Sequence, residues 1–517
     1  MGTRARSSSL AVRRISLRNI LVALCFLVSL LLLVTLQAVY TGSLPSVVAA
    51  WGGPPSSAVT QLCDPFRVLH GAGRRQKPSR VQDVLTSIPA GSQLGELKGL
   101  NNDENNYKYY TEAKLRQLTA CMARGDCHPN AENVIIFAAY HCHMSVFKGY
   151  VGGEGVWCNG MIDSLERQGY TVLLAKDDWG YVAHIYRQIP DLVKAIIGDD
   201  SPGSRYGRPH DFFRSAARPD GFPTWKFFRF YYFPTPKGTV ISSYWCVSAE
   251  IEWRAPGMGN YRSEYPRECA DADNTYLGYA LEAAAETRTV PWAQRPNRAY
   301  ILGKRVQYFY KWREEPFIPA EYITRAYHEM RKEIPDFEFV GGFIDDRTPE
   351  EKETLGEWKV PEGVRQLGKM NASEFDDAVA NSKAMVGLGW PATSPSPYRA
   401  IARGVPFLNP HTMHLHSKAD DPASWAFVQH DSLRYEQPPH VYNTEANNYE
   451  GFIAALRAAM TTPAEPYILP RLQRDALDRR MRDFVHHDWR AEAARVLANR
   501  KNGEESELGT DLGMFEL

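Results

Sequence analysis

Residues 387–410 read GLGWPATSPSPYRAIARGVPFLNP, and this stretch decides the fold. Met385-Val386-Gly387-Leu388 has the continuous apolar character of a buried parallel strand. Gly389 lets a backbone approach a ligand closely, and Pro391, Pro395 and Pro397 stiffen the crossing that follows. Ser396 is expected to cap a short helix with Pro397 as its first residue and Gly404 at its end. Val405-Pro406-Phe407-Leu408 is the next strand. A helix start at the carboxyl end of a parallel strand is where open α/β sheets take ligands, and free N–H groups there favour a pyrophosphate. An ordinary strand-to-helix turn has the same pattern.

The same alternation extends upstream. Ala299-Tyr300-Ile301-Leu302 is a strand ended by Gly303-Lys304, Ala320 to Ile334 a helix, and Phe337-Glu338-Phe339-Val340 a strand. Ser373 is expected to cap a helix carrying Glu374, Asp376 and Asp377 in its first turn. Further upstream, Val134-Ile135-Ile136-Phe137-Ala138, a glycine-rich loop from Gly149 to Gly155, a helix from Val156 to Gln168 and Tyr170-Thr171-Val172-Leu173-Leu174 form a strand–loop–helix–strand unit. Further strands are expected at Thr239–Ser242 and around Trp245, a helix at Thr111–Arg124, and a long amphipathic helical stretch from Leu469 to Asn499. The fold class is therefore α/β: two doubly wound sheets facing across a cleft.

The chain has 517 residues, 44 % of them hydrophobic, enough for two or three domains with cores of their own. Its formal net charge is zero, which gives no argument for a nucleic-acid partner. Ile20 to Val39 is an uncharged apolar run long enough to cross a hydrocarbon core of about 30 Å. Arg4, Arg6, Arg13, Arg14 and Arg18 precede it, so an uncleaved anchor with its amino terminus in the cytosol is expected; a cleaved signal peptide is the alternative. The expected organisation is a basic arm (1–19), an anchor (20–39), a stem (40–115), two domains (116–297 and 298–470), a terminal helix (471–500) and an acidic tail (501–517).

Beyond the anchor's Cys25, seven cysteines remain: Cys63, Cys121, Cys127, Cys142, Cys158, Cys246 and Cys269. Cys121 and Cys127 are spaced to staple a loop, and His141-Cys142-His143 reads as a strand-end cluster rather than a metal site. Asn371-Ala372-Ser373 is a glycosylation sequon.

The 387–410 segment resembles the donor-site stretch of glycosyltransferase family 18, the N-acetylglucosaminyltransferase V family. It has the same Gly-x-Gly-aromatic-Pro opening, Pro-x-Pro step, Ala-Ile-Ala-x-Gly helix and Phe-Leu-Asn-Pro strand. The likeness continues through Pro439-His440-Val441-Tyr442, Gly303-Lys304, Asp273-Asn274-Thr275-Tyr276-Leu277-Gly278 and the first unit, together covering roughly residues 130 to 470.

The resemblance implies a GT-B architecture with an acceptor domain, a donor domain and a nucleotide sugar between them. It implies inverting, metal-independent transfer of GlcNAc from UDP-GlcNAc to a mannose hydroxyl of a protein N-glycan, in the Golgi lumen. Asp271-Ala272-Asp273 has the spacing of a metal-binding Asp-x-Asp but is read as structural. The family places its general base beside a Gly-Gly pair, the position held by Gly152-Gly153-Glu154; Asp177 and Asp178 are fallback bases. Lys304, Gly389, Trp390, Thr393, Ser394, Ser396, Arg399 and His440 fall on the donor side. Lys304 suits a diphosphate or the surface, and Trp390 suits the core or a base or sugar.

Thr393 and Arg399 stand where the family carries two Glu residues. Arg399 cannot accept a ribose hydroxyl, so it contacts donor phosphates or pairs with a structural carboxylate. Another nucleotide sugar such as GDP-fucose, or an inactive sugar-binding relative, remains an alternative.

Overall fold

A computed structural model describes residues 104–150, 152–200, 207–233, 240–251, 274–281, 289–310, 315–413, 417–503 and 515–517. The basic arm, the apolar run at 20–39, Cys25, Cys63, Cys269, Asp271, Asp273 and the acids from Glu504 to Asp511 lie outside the described residues.

The first lobe opens with α1 (Asn106–Arg124), which runs across the expected stem boundary. It starts five residues before Thr111 because its first turn is anchored: Tyr107 is buried and its hydroxyl donates to Asp178 Oδ2 at 2.9 Å. Thr111 Oγ1 donates to the Leu174 carbonyl at 2.7 Å. Then come β1 (Val134–Ala138), α2 (Tyr140–Lys148), α3 (Gly153–Arg167), β2 (Thr171–Leu174), α4 (Trp179–Gln188), β3 (Val193–Gly198), β4 (Phe227–Phe230), β5 (Cys246–Ser248) and β6 (Thr275–Tyr276). They form a parallel sheet in the order β2-β1-β3-β4-β5-β6. Its first reversal of strand order lies between β1 and β3. Residues 240–242 are not a strand; Ser242 caps a 3-10 turn, Ser243–Trp245, and the strand follows it.

The second lobe contains β7 (Arg298–Leu302), α5 (Ala320–Glu333), β8 (Glu338–Gly341), α6 (Pro349–Leu355), β9 (Val364–Gln366), α7 (Ala372–Ala380), β10 (Ala384–Gly387), α8 (Pro395–Ile401), β11 (Phe407–Thr412), β12 (Phe427–Val428), β13 (Val441–Glu445) and α9 (Tyr449–Thr461). The parallel strands run β9-β8-β7-β10-β11-β13, with β12 antiparallel at the far end of β11. Here the order reverses between β7 and β10, so Lys304 and Gly389 each follow a strand at the switch point.

Helix α7 corrects one expected cap. Asn371 rather than Ser373 is the cap: its side chain accepts the Glu374 N–H at 3.0 Å, and the Glu374 carboxylate takes the Asn371 N–H at 2.8 Å. Glutamate three residues on closes this capping box, which Ser373 lacks.

The expected terminal helix is two helices, α10 (Arg474–His486) and α11 (Trp489–Lys501), parted where Asp488 caps the second. Both return to the first lobe. Ser164 Oγ donates to Asp478 Oδ1 at 2.6 Å, and Phe484 and Trp489 set their rings 4.8 and 4.7 Å from Phe228. Burying aromatic side chains of this size contributes about 2–3 kcal/mol each.

Two disulfides join described cysteines, Cys121–Cys127 and Cys142–Cys158, and Cys246 is free and buried. Cys142 lies inside α2, so the His141–His143 cluster sits on a helix and not at a strand end. Its disulfide ties that helix to α3.

Candidate functional site

Glu154 stands in the first turn of α3, half-buried, rather than on a loop. The two glycines before it are there for space. A Cβ on Gly152 would fall inside the Tyr150 ring, and one on Gly153 would stand 3.0 Å from the ring of Tyr232. Tyr150 in turn donates its hydroxyl to Glu154 Oε2 at 3.1 Å.

Around Glu154, at the carboxyl ends of β1 to β3, other titratable groups gather. Asp199 follows β3, accepts the Tyr140 N–H at 2.7 Å, and has its carboxyl pushed up to about 6. Burial is the largest cause; the Tyr140 N–H and His141 oppose it, and the Asp177 and Glu154 charges add to it. Asp199 therefore sits at the first sheet's switch point within electrostatic reach of Glu154. Sequence reasoning missed Asp199 because β3 went unread, although Ala195-Ile196-Ile197-Gly198 is an apolar run stopped by glycine. Of the two fallback bases, Asp178 is committed to structure. It caps α4 by accepting the Tyr181 N–H at 2.9 Å and takes the Tyr107 hydroxyl on its other oxygen.

On the second lobe, Gly389 adopts φ 92°, and a Cβ there would press to 2.9 Å from the Phe317 ring. Its N–H donates to Gln429 Oε1 at 2.8 Å. Trp390 packs into the second core beside Phe427, and Lys304 is exposed. Thr393 is fully buried and holds φ 49°, a left-handed conformation costing a β-branched residue about 1–3 kcal/mol. Gln429 fixes it, its carbonyl taking the Thr393 N–H at 2.7 Å, while Thr393 Oγ1 finds no hydrogen-bond partner among the described residues.

The short helix begins two residues before the expected start. Ser394 is its cap and Pro395 its first residue. This removes the expected cluster of free amides: Pro395 and Pro397 have no N–H, and that of Ser396 goes to Ser394 Oγ at 3.2 Å. Arg399 lies in the helix's last turn and is paired with Asp376, which also holds Arg403 at 3.3 Å. Of the two alternatives for Arg399, the structural carboxylate is realised. His440 is drawn to the Glu465 carbonyl, 3.0 Å from its Nε2, and packs against Tyr467.

The two lobes meet at these segments. Tyr232, following β4, donates its hydroxyl across to the Thr393 carbonyl at 3.2 Å. Glu250, two residues beyond β5, is fully buried and accepts from Tyr279 and from Tyr398 of α8, each at 2.8 Å. Burial pushes its carboxyl up to about 7 against the pull of the two tyrosines and Arg471. A carboxylate just after the apolar run Trp245–Ala249 was the available signal for it.

Two parallel switch-point sheets, with a carboxylate group on one and a strained loop on the other, define a two-lobed α/β protein whose strand ends are joined by direct contacts. Residues 260–495 match the profile of Glycosyltransferase family 18, and the chain is related to that family through this span. It is 26 % identical over 225 residues to human alpha-1,6-mannosylglycoprotein 6-beta-N-acetylglucosaminyltransferase B, covering 42 % of this chain and 26 % of that protein. Against the human A enzyme it is 28 % identical over 231 residues, covering 41 % and 27 %. The matched region thus spans about a quarter of the length of these relatives. Among solved structures, an O-GlcNAc transferase from Thermobaculum terrenum aligns over 82 % of this chain and 80 % of its own, at 14 % identity and TM-score 0.35.

Proposed function

We propose that this chain is an inverting GT-B glycosyltransferase that moves GlcNAc from UDP-GlcNAc to a mannose hydroxyl of a protein N-glycan, without a required metal. The observation that carries this reading is the bridge through Tyr232. Its ring packs on Gly153, next to Glu154, and its hydroxyl reaches Thr393 in the segment related to the family's donor site. An acceptor-side carboxylate and the donor loop are thereby one tyrosine apart.

In this mechanism Glu154 takes the proton of the acceptor hydroxyl as its oxygen attacks the anomeric carbon, and the nucleoside diphosphate leaves from the opposite face. Tyr150 orients the Glu154 carboxylate. The donor lies over the β7–β10 switch point, with Lys304 offering charge to its diphosphate and Trp390, Ser394 and Ser396 lining the approach on the loop that the buried Gly389 and Thr393 shape. With Arg399 held by Asp376, neither it nor His440 is assigned a donor contact in this reading. The arginines of the amino-terminal arm and the apolar run at 20–39 support a Golgi membrane anchor with the two lobes lumenal.

Arg399 also supports a second reading, in which the donor is a different nucleotide sugar. The position that would bind ribose as Glu is a cation tied to Asp376, and the neighbouring Thr393 hydroxyl is buried with no hydrogen-bond partner among the described residues. The deciding experiment offers the full chain a panel of UDP- and GDP-sugars, with a biantennary N-glycan and with EDTA present, and measures nucleotide release and product linkage. UDP-GlcNAc turnover to a β1,6 product supports the first reading, and turnover of another donor the second. No turnover and no nucleotide-induced thermal shift would leave an inactive relative.

A further inference from the structure

We propose that Glu250 is a positioning residue for the donor-side segment Gly389–Ile401, holding it to the acceptor lobe through Tyr398. The proposal rests on the donor-site reading above.

The geometry is specific. Glu250 Oε1 takes the Tyr279 hydroxyl from its own lobe, and Oε2 takes the Tyr398 hydroxyl from α8, both at 2.8 Å. Tyr398 is itself fully buried, edge-on to Tyr279 (6.1 Å) and to His430 (4.4 Å). Arg471, on the segment returning to the first lobe, reaches the Tyr398 hydroxyl at 3.4 Å and the Ser432 carbonyl at 2.7 Å. Elements of both lobes and the returning segment therefore converge on one carboxylate.

A buried carboxylate is an expensive way to fill a core, and an apolar pair would fill it more cheaply. What the carboxylate adds is direction: two charge-assisted bonds fix the angle at which α8 and the loop before it stand against the first sheet. Tyr232 gives that loop its second tie, at Thr393, five residues before Tyr398 makes the helix's contact. Both ties act on backbone that the donor would lie against.

The hold is also sensitive to protonation. The groups facing Glu250 are Tyr232, Tyr276 and Tyr279 from the first lobe, Tyr398 and Ser432 from the second, and Arg471; His430 packs on Tyr398, and Arg480 acts behind Tyr276. His430 is pushed down to about 3 by burial and stays neutral, so it does not compete as a switch. Glu250 has its carboxyl near 7. As pH falls through that value the protonated acid becomes a donor, one tyrosine loses its acceptor, and the hold on α8 weakens.

The test measures donor and acceptor KM and kcat from pH 5.5 to 8.5 for the full chain, Glu250→Gln and Tyr398→Phe, with UDP-GlcNAc as donor. Glu250→Gln is expected to raise the donor KM about tenfold at pH 8, to leave the acceptor KM unchanged, and to flatten the change in donor KM near pH 7. Tyr398→Phe, which keeps the ring, is expected to raise the donor KM in the same direction. A folded Glu250→Gln with the donor KM and pH profile of the parent overturns the proposal. If Glu250→Gln does not fold, Tyr398→Phe decides it by the same criterion. If the parent turns over no donor, the donor-site reading has failed, and hydrogen exchange over residues 389–401 decides the positioning role separately. Faster exchange in either variant supports it, and unchanged exchange in both overturns it.

Discussion

The Tyr232 hydroxyl donates to the carbonyl oxygen of Thr393 at 3.2 Å, joining the first lobe to a strained residue of the second. Removing that hydroxyl leaves a buried carbonyl short of a donor, at a cost of about 1–2 kcal/mol. Tyr232→Phe should therefore lower the unfolding free energy by that amount and raise the donor KM severalfold. Urea titration and donor kinetics check the two effects separately.

Glu154→Gln keeps the size of the side chain and its contact with Tyr150 but cannot take a proton. It should lower kcat by about 10²–10⁴-fold while donor affinity stays near that of the parent. Turnover within twofold of the parent would remove Glu154 from the mechanism and direct attention to Asp199.

Arg399→Glu should not by itself recreate a ribose-binding site, because the new carboxylate would face Asp376. It should cost about 2 kcal/mol, with Arg403 left as the one cation between two carboxylates. Adding Asp376→Lys should recover most of that loss, and a double-mutant cycle by chemical denaturation measures the coupling.

Stability should depend on pH through Glu250. Its folded value of about 7 lies above the ordinary 4.5, so the folded protein holds a proton that the unfolded chain releases between these values. The stabilisation is full below about 4.5 and is lost as pH rises through 7, up to about 3 kcal/mol in total. Asp199, raised to about 6, adds in the same direction. The urea midpoint should fall from pH 5 to 7.5 in the parent and fall less in Glu250→Gln.

Replacing Cys142 and Cys158 together by Ser should cost about 3 kcal/mol, the value for closing a loop of this length, since the pair is 16 residues apart. Because the bond holds α2 to the helix bearing Glu154, activity should fall at temperatures where the fold still persists. Thermal denaturation and assays at two temperatures check this.

The sheets were legible wherever strands are continuous apolar runs. Val134–Ala138 needed no adjustment, and Ala299–Leu302 and Met385–Leu388 shifted by one residue. Strands one lobe over were harder: Phe227–Phe230 and Cys246–Ser248 are short and aromatic, with partners far away in sequence. Cap identity failed twice for one reason. Ser373 and Ser396 are chemically suitable, but Asn371 has Glu374 to complete the box, and Ser394 precedes the first of two helical prolines. The candidate site was half legible. Glu154 was marked by its glycines, whereas Glu250 and Asp199 matter through neighbours supplied by other strands and by the opposite lobe, which no local pattern records.

Helices α10 and α11 carry a practical corollary for anyone wishing to dissect the molecule. Since Asp478, Phe484 and Trp489 complete the core begun more than two hundred residues earlier, a cut near residue 297 yields no self-sufficient halves. The first half would be missing part of its wall, and the second would trail an apolar tail prone to clump. A workable split protein would have to graft residues 470–503 onto the first half.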